Sequence, residues 1–110
     1  MATIRQNQIA RLIQRELGFY FQKEVNKYNE GGLITVTIVR VSPDFSIAKV
    51  YLSIFPKDKE KILENINSET KVIRHYLSQR IKNKMRFMPE LEFFIDDSLD
   101  YIEKIENLLK

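Results

Sequence analysis

Cysteine is absent from this 110-residue chain, and histidine occurs once, at His75. Disulfide frameworks, zinc–thiolate sites, iron–sulfur clusters, thiol catalysis and multi-histidine metal sites are all excluded on that ground. Glycine and proline are scarce, at three residues each. With 44% hydrophobic residues, so little loop-forming sequence argues against disorder. No apolar run approaches the ~18–20 residues needed to cross a bilayer. Residues 1–14 are basic but lack a compact apolar stretch and a small-residue cleavage site, so they do not read as a secretory signal. The lack of cysteine is compatible with a reducing cytosol, and a cytoplasmic location is expected. A chain of this length reads as one globular domain over residues 1–110. It can hide roughly two-thirds of its unfolded surface and needs no staple.

What is present is charge, unevenly placed. The net charge is only +3. Residues 70–88 hold six cations (Lys71, Arg74, Arg80, Lys82, Lys84 and Arg86) and no acid. Residues 89–110 hold seven acids and two lysines, and residues 1–28 hold five cations and two acids. A domain divided in this way presents either a polyanion-binding face opposite a solubilising one, or two solvated helix surfaces that differ in sign.

Periodicity places these charges on elements. Ile9, Leu12, Ile13, Leu17, Tyr20, Phe21, Val25 and Tyr28 share one stripe of a helix over residues 4–28, with Thr3 and Gln6 as a capping box. Gly18 inside it suggests a close neighbour, and Gly31-Gly32 ends it. No Gly-Lys-Ser/Thr follows that pair, so a turn is the reading and not a phosphate loop. Two strands follow, 33–41 and 46–54, joined by Ser42-Pro43-Asp44-Phe45 into an antiparallel hairpin. The pattern points Ile34, Val36 and Ile38 one way and Thr35 and Thr37 the other, and aligns Ala48, Val50, Leu52 and Ile54. A short helix at 56–67, a second at 68–84, a strand at 91–95 and a last helix at 99–109 complete the order. This α-β-β-α-α-β-α pattern predicts an α+β fold, a three-stranded sheet with helices packed on one face.

The second of the paired helices carries the candidate site. On a helical wheel Val72, Ile73, Tyr76, Leu77 and Ile81 form the apolar side. Lys71, His75, Lys82 and Arg86 fall within about 60° of one another opposite it, a row suited to a phosphate path. Arg74 lies at the border. Arg80 and Lys84 fall on the apolar side, where their stems would cover the core edge. No carboxylate near His75 in sequence makes it a catalytic base, so a solvent-facing or nucleic-acid-contacting role is expected. Asp96, Asp97 and Asp100 could be read as a cation site, but the preferred reading is that Asp97 or Ser98 caps the last helix and Asp100 favours its N-terminal dipole. Tyr51 on the open sheet face could stack a base, but a cross-strand packing partner is the more ordinary role.

Several stretches resemble one family. Val39-Arg-Val-Ser-Pro-Asp-Phe-Ser-Ile-Ala-Lys-Val-Tyr-Leu-Ser53 is similar to the hairpin signature of the ribosome-binding factor A family. Val72-Ile-Arg74 with Leu77 and a basic helix, Met88-Pro-Glu-Leu-Glu-Phe-Phe-Ile-Asp-Asp-Ser-Leu99, and Ile105-Glu-Asn-Leu-Leu109 resemble it too, in order and across nearly the whole chain. The resemblance implies a KH-like domain of the second topological type. It also implies a non-enzymatic factor that binds 16S rRNA and the free or immature 30S subunit, assists late maturation and rRNA processing, and supports growth in the cold. No cofactor, metal, membrane or small-molecule substrate is implied, and a monomer is expected. The family makes its kink between the central helices with Ala-x-Gly, whereas Glu69-Thr70-Lys71 stand here, so Ser68 or Thr70 is expected to cap the second helix. Many relatives carry a C-terminal tail whose role is expected to be missing from a chain that stops at Lys110. The RNA-binding candidates are Lys71, Arg74, His75, Lys82, Arg86, Arg80 and Lys84. The alternative is a protein–protein adaptor whose basic helix meets an acidic partner.

Overall fold

A computed structural model describes residues 3–56, 58–85 and 88–96. The order is α1 (Ile4–Tyr28), β1 (Leu33–Val41), β2 (Ile47–Phe55), α2 (Lys59–Ser68), α3 (Thr70–Ile81) and β3 (Glu90–Ile95). The sheet runs β1-β2-β3, antiparallel between the first two and parallel between the last two. The paired helices α2 and α3 supply the crossover that a parallel neighbour requires. The expected last helix and its cap, residues 97–109, lie outside the described residues.

The first helix starts as its sequence demands. Thr3 Oγ1 accepts the Gln6 N–H at 3.1 Å, and Gln6 Oε1 accepts the Thr3 N–H at 2.9 Å. This reciprocal box satisfies donors that the helix start leaves unpaired. The Gln6 side chain is buried, because its Nε2 also donates to the Val41 carbonyl at 2.8 Å. One residue thus caps the helix and ties it to the far end of β1. Along α1, Ile9, Ile13, Leu17, Tyr20 and Phe21 are buried against the inner face of the sheet. That face is made of Ile34, Val36, Val39 and Val41, Ala48, Val50, Leu52 and Ile54, and Leu91 and Phe93. Ile62 and Ile66 of α2 and Ile73, Leu77 and Ile81 of α3 complete the core. Each fully buried Leu, Ile or Phe contributes about 1.5–3 kcal/mol.

Four expectations change. In β1 the register shifts between Val36 and Ile38, so Thr37 is the extra residue of a bulge. The alternation inverts there, and Ile38 faces outward at 41% exposure while Val39 and Val41 turn inward. α2 begins at Lys59 rather than residue 56, because Asp58 takes a left-handed φ of 57° that no helix continues through. α3 spans 70–81 rather than 68–84, and Val72 is half exposed. Neither Ser68 nor Thr70 caps it as an acceptor. Glu69 alone makes the kink, at φ −104° and ψ 16°. Ser68 Oγ and Thr70 Oγ1 instead donate to the Asn65 and Asn67 carbonyls, both at 2.6 Å. The break leaves the last carbonyls of α2 without helical partners, and the two hydroxyls supply them.

The glycines divide. Gly32 is a close approach: a Cβ there would collide with the Asn29 side chain and the Phe55 carbonyl. Asn29 needs that position, since its Nδ2 donates to Leu33 O at 3.1 Å and Phe55 O at 2.8 Å. Gly18 has no such neighbour; nothing lies within 4 Å of where its Cβ would stand. The expected close packing is absent, and Gly18 is left with the entropic cost of glycine in a helix. Gly18→Ala should therefore stabilise the domain by about 0.5–1 kcal/mol. Gly32→Ala should lower the melting temperature. Thermal unfolding of the two variants checks both signs.

The β1–β2 turn is a carboxylate-centred knot. Asp44 Oδ1 accepts from Ser46 N–H, Ser46 Oγ and Ser42 Oγ at 2.7–3.1 Å. The hydroxyls of Ser46 and Ser42 hold its pKa down to about 2, from an ordinary 3.8. A depressed carboxylate supports the folded turn above its unfolded pKa and loses that support as pH falls through the folded one. The Ser46 and Ile47 amide signals should therefore titrate with a midpoint near 2. A midpoint near 3.8 would show that the knot does not form.

Candidate nucleic-acid interface

The cations of α3 separate by what they touch. Lys71 and His75 are exposed and one helical turn apart, on one line of the outer face. Lys82 follows as the C-cap residue, also exposed. Lys71 and Lys82 form no ion pair among the described residues. Lys84 lies beyond the helix, in a turn closed by its own N–H on the Ile81 carbonyl at 2.9 Å. The sequence reading put its stem over the core edge; the helix ends first, and Lys84 is exposed. Arg86 lies outside the described residues.

The two arginines are engaged with the protein itself. Arg74 Nε donates to Pro89 O at 3.0 Å and Nη2 to Met88 O at 2.7 Å, with Glu90 at 3.7 Å. This fork fastens α3 to the entry of β3. Arg80 Nε meets Glu16 Oε2 of α1 at 3.1 Å. The Glu16 side chain is only 9% exposed, whereas that of Arg80 is 54% exposed. The Glu16 hydrogen bond and charge push the Arg80 guanidinium further above its usual range. Arg80 therefore neutralises a nearly buried carboxylate on the neighbouring helix.

The cations of α1 complete a surface that a reading centred on residues 70–88 does not include. Arg5, Arg11, Arg15 and Lys84 line a shallow groove of about 460 Å³ with Gln8, Ile9 and Leu12, and among the described residues no acid lines it. Arg5 Nη2 reaches the Lys84 carbonyl at 3.4 Å, which joins the start of α1 to the turn after α3. The acid nearest in sequence, Glu16, is 3.6 Å from Arg15 and 3.1 Å from Arg80. The signal was the i, i+4 spacing of Arg11 and Arg15 on the face opposite Ile9 and Ile13. The arrangement offers fork-shaped donors and ammonium groups along a groove, which suits phosphate oxygens. Among the described residues no group of three or more His, Asp or Glu could hold a metal ion. No described helix is long and apolar enough to cross a membrane.

Tyr51, on the outer sheet face, stacks on Phe94 of β3, with ring centroids 5.4 Å apart and planes at 28°. It has the cross-strand partner of the ordinary reading.

An α-β-β-α-α-β chain with a mixed three-stranded sheet and its helices on one face is a KH-like domain of the second topological type. A family model described as Ribosome-binding factor A matches residues 5–109, and the chain belongs to that family of ribosome-binding factors. It is 52% identical over 111 residues to the Ribosome-binding factor A of Flavobacterium johnsoniae, covering 99% of this chain and 85% of the relative. The corresponding protein of Cytophaga hutchinsonii is 41% identical over 110 residues, covering 99% and 83%. Among solved structures, the crystal structure of ribosome-binding factor A from Thermus thermophilus superposes with a TM-score of 0.71 at 27% identity, covering 82% of this chain and 94% of that one. A homology model of the Thermus thermophilus factor, fitted into a cryo-EM map of a 30S–RbfA complex, gives 0.66 at 26% identity, covering 80% and 91%.

The geometry separates stability from binding. Arg80→Ala should lower the melting temperature, because the nearly buried Glu16 would lose its hydrogen-bonded partner and keep only the longer contact to Arg15. Lys82→Ala should stay within about 0.5 kcal/mol of the parent. Thermal unfolding of both variants in one buffer is the check, and an equal effect would remove the distinction.

Proposed function

We propose that this chain binds the free or immature 30S subunit by laying its cationic surface along 16S rRNA phosphates. The family supports a ribosome-binding factor, and the related Thermus thermophilus protein has been fitted into a map of a 30S–RbfA complex. The observation that carries the reading is the acid-free groove of Arg5, Arg11, Arg15 and Lys84 beside the exposed Lys82. Lys71 extends the same charge along α3, with the exposed His75 ring beside it. The role is that of a binding factor without catalysis, acting as a monomer in the cytoplasm on late maturation and rRNA processing, including growth in the cold. Arg74 and Arg80 serve it indirectly, by fixing α3 to β3 and to α1.

Binding carried by phosphates releases counterions, so log affinity falls with log salt by roughly 0.7–0.9 for each contact. Titration of free 30S subunits across a salt series should give a steep slope. Arg11→Ala/Arg15→Ala should reduce that slope by about two contacts. His75→Ala should cause at most a modest loss. A salt-independent affinity would overturn the reading and favour an apolar protein interface.

A further inference from the structure

The outer face of the sheet exposes several large apolar side chains among the described residues. Ile38, Tyr51 and Phe94 stand in register across β1, β2 and β3 and form an apolar row. Ile38 is 41% and Phe94 37% exposed. Leu33 and Phe55 form a second row, paired across β1 and β2, at 63% and 64% exposure. Between the rows lie Thr35 and Ser53. A two-row apolar face rimmed by polar residues ordinarily marks a docking surface.

The chain itself supplies a fitting occupant. β3 ends with Ile95 in register with Leu52, just past the Tyr51–Phe94 row, and the Asp96 N–H donates to the Leu52 carbonyl at 2.8 Å. The Asp96 carboxylate accepts from Thr37 Oγ1 of β1, on the far side of β2. Asp96 is thus held over the outer face where β3 ends. The residues that follow, 97–110, carry Leu99, Ile102, Ile105, Leu108 and Leu109 at helical spacing. Ile102, Ile105 and Leu109 fall within about 60° on a helical wheel. Eleven helical residues reach about 16 Å. The two apolar rows are four residues apart on β2, or about 13 Å, so one such segment spans both. Residues 97–110 hold four acids and two lysines; on the same sheet face Lys49 stands between Arg40 of β1 and Glu92 of β3.

The geometry points to residues 99–109 docking as an amphipathic helix across the outer face of the sheet, over the Ile38–Tyr51–Phe94 and Leu33–Phe55 rows. The domain then has three layers, α1–α3, the sheet, and its own C-terminal segment. The aromatic pair is withdrawn from nucleic acid, and RNA is left to the cationic helices on the opposite side.

The test is amide hydrogen exchange on the full chain and on Tyr51→Ser/Phe94→Ser. Docking predicts protected amides at Ile102, Ile105 and Leu109 in the parent. In the variant that protection should fall about tenfold or more, while Ile13 and Leu17 of α1 stay protected. Unprotected amides in the parent, or protection indifferent to the substitution, would overturn the proposal. Should α1 also lose protection, Ile102→Asp/Ile105→Asp decides, since it leaves the described core intact. That variant should shift the ring resonances of Tyr51 and Phe94, and unchanged rings would overturn the proposal. A spin label on Lys49→Cys is unambiguous in a chain without cysteine. Mixed with isotope-labelled parent, it should leave residues 99–109 sharp. Broadening in that mixture would assign the face to a second copy and overturn docking within one chain.

Discussion

The seam between α1 and the inner face of the sheet sets the orientation of every other surface. Ile13, Leu17 and Phe21 are fully shielded there, and a helix has only one stripe to bury. Once Ile9 and Ile13 face the sheet, Arg11 and Arg15 must face away from it. The cationic groove is thus the geometric complement of the core rather than a separate construction. The Gln6 side chain fixes the remaining freedom, the sliding of α1 along the hairpin, because it is bonded to the Val41 carbonyl. α3 then docks beside α1 through Ile73, Leu77 and Ile81, and Arg80 comes to rest on Glu16.

Two kinds of cation occupy this part of the molecule, and their chemistry matches their use. The planar guanidinium groups of Arg74 and Arg80 clasp carbonyls and a carboxylate, where directional donors matter. The ammonium groups of Lys71, Lys82 and Lys84 stand at the surface, where only charge and reach are required. Arginine on α1 is the exception, since Arg11 and Arg15 are exposed forks. Glu16 lets these roles coexist by drawing Arg80 across the helix pair. Without it, Arg80 would have no carboxylate to meet where the two positively charged helices pack together.

The element order as far as β3, the span of α1, its capping box, the inward set of β2 and the split of α2 from α3 were legible in the sequence. Each rests on local periodicity or on cap chemistry within a few residues. The misses arise where a distant partner or a single backbone angle decides. A bulge at Thr37 leaves no mark in a run of β-branched residues, and the left-handed Asp58 is not foretold by the lysines around it. The free hydroxyl donors at the kink depend on which carbonyls the break orphans. At the candidate site, the phase of α3 placed Lys71 and His75 outward, as found. Arg74 needed knowledge of where residues 88 and 89 pass. The groove of Arg5, Arg11, Arg15 and Lys84 needed the two helices side by side, which no single segment reveals.

The bulge gives β1 two reading frames. Before Thr37 the even-numbered residues Ile34 and Val36 face the core; after it the odd-numbered Val39 and Val41 do. Pairing the same sequence without the bulge would set Thr37 opposite Tyr51, throw the downstream half into the other frame, send Val39 and Val41 to the outer face, and move the carbonyl that Gln6 holds. The insertion is therefore a phase-setting device. It also places Ile38 beside Tyr51, so the apolar row on the outer face and the aliphatic wall on the inner face arise from the same extra residue.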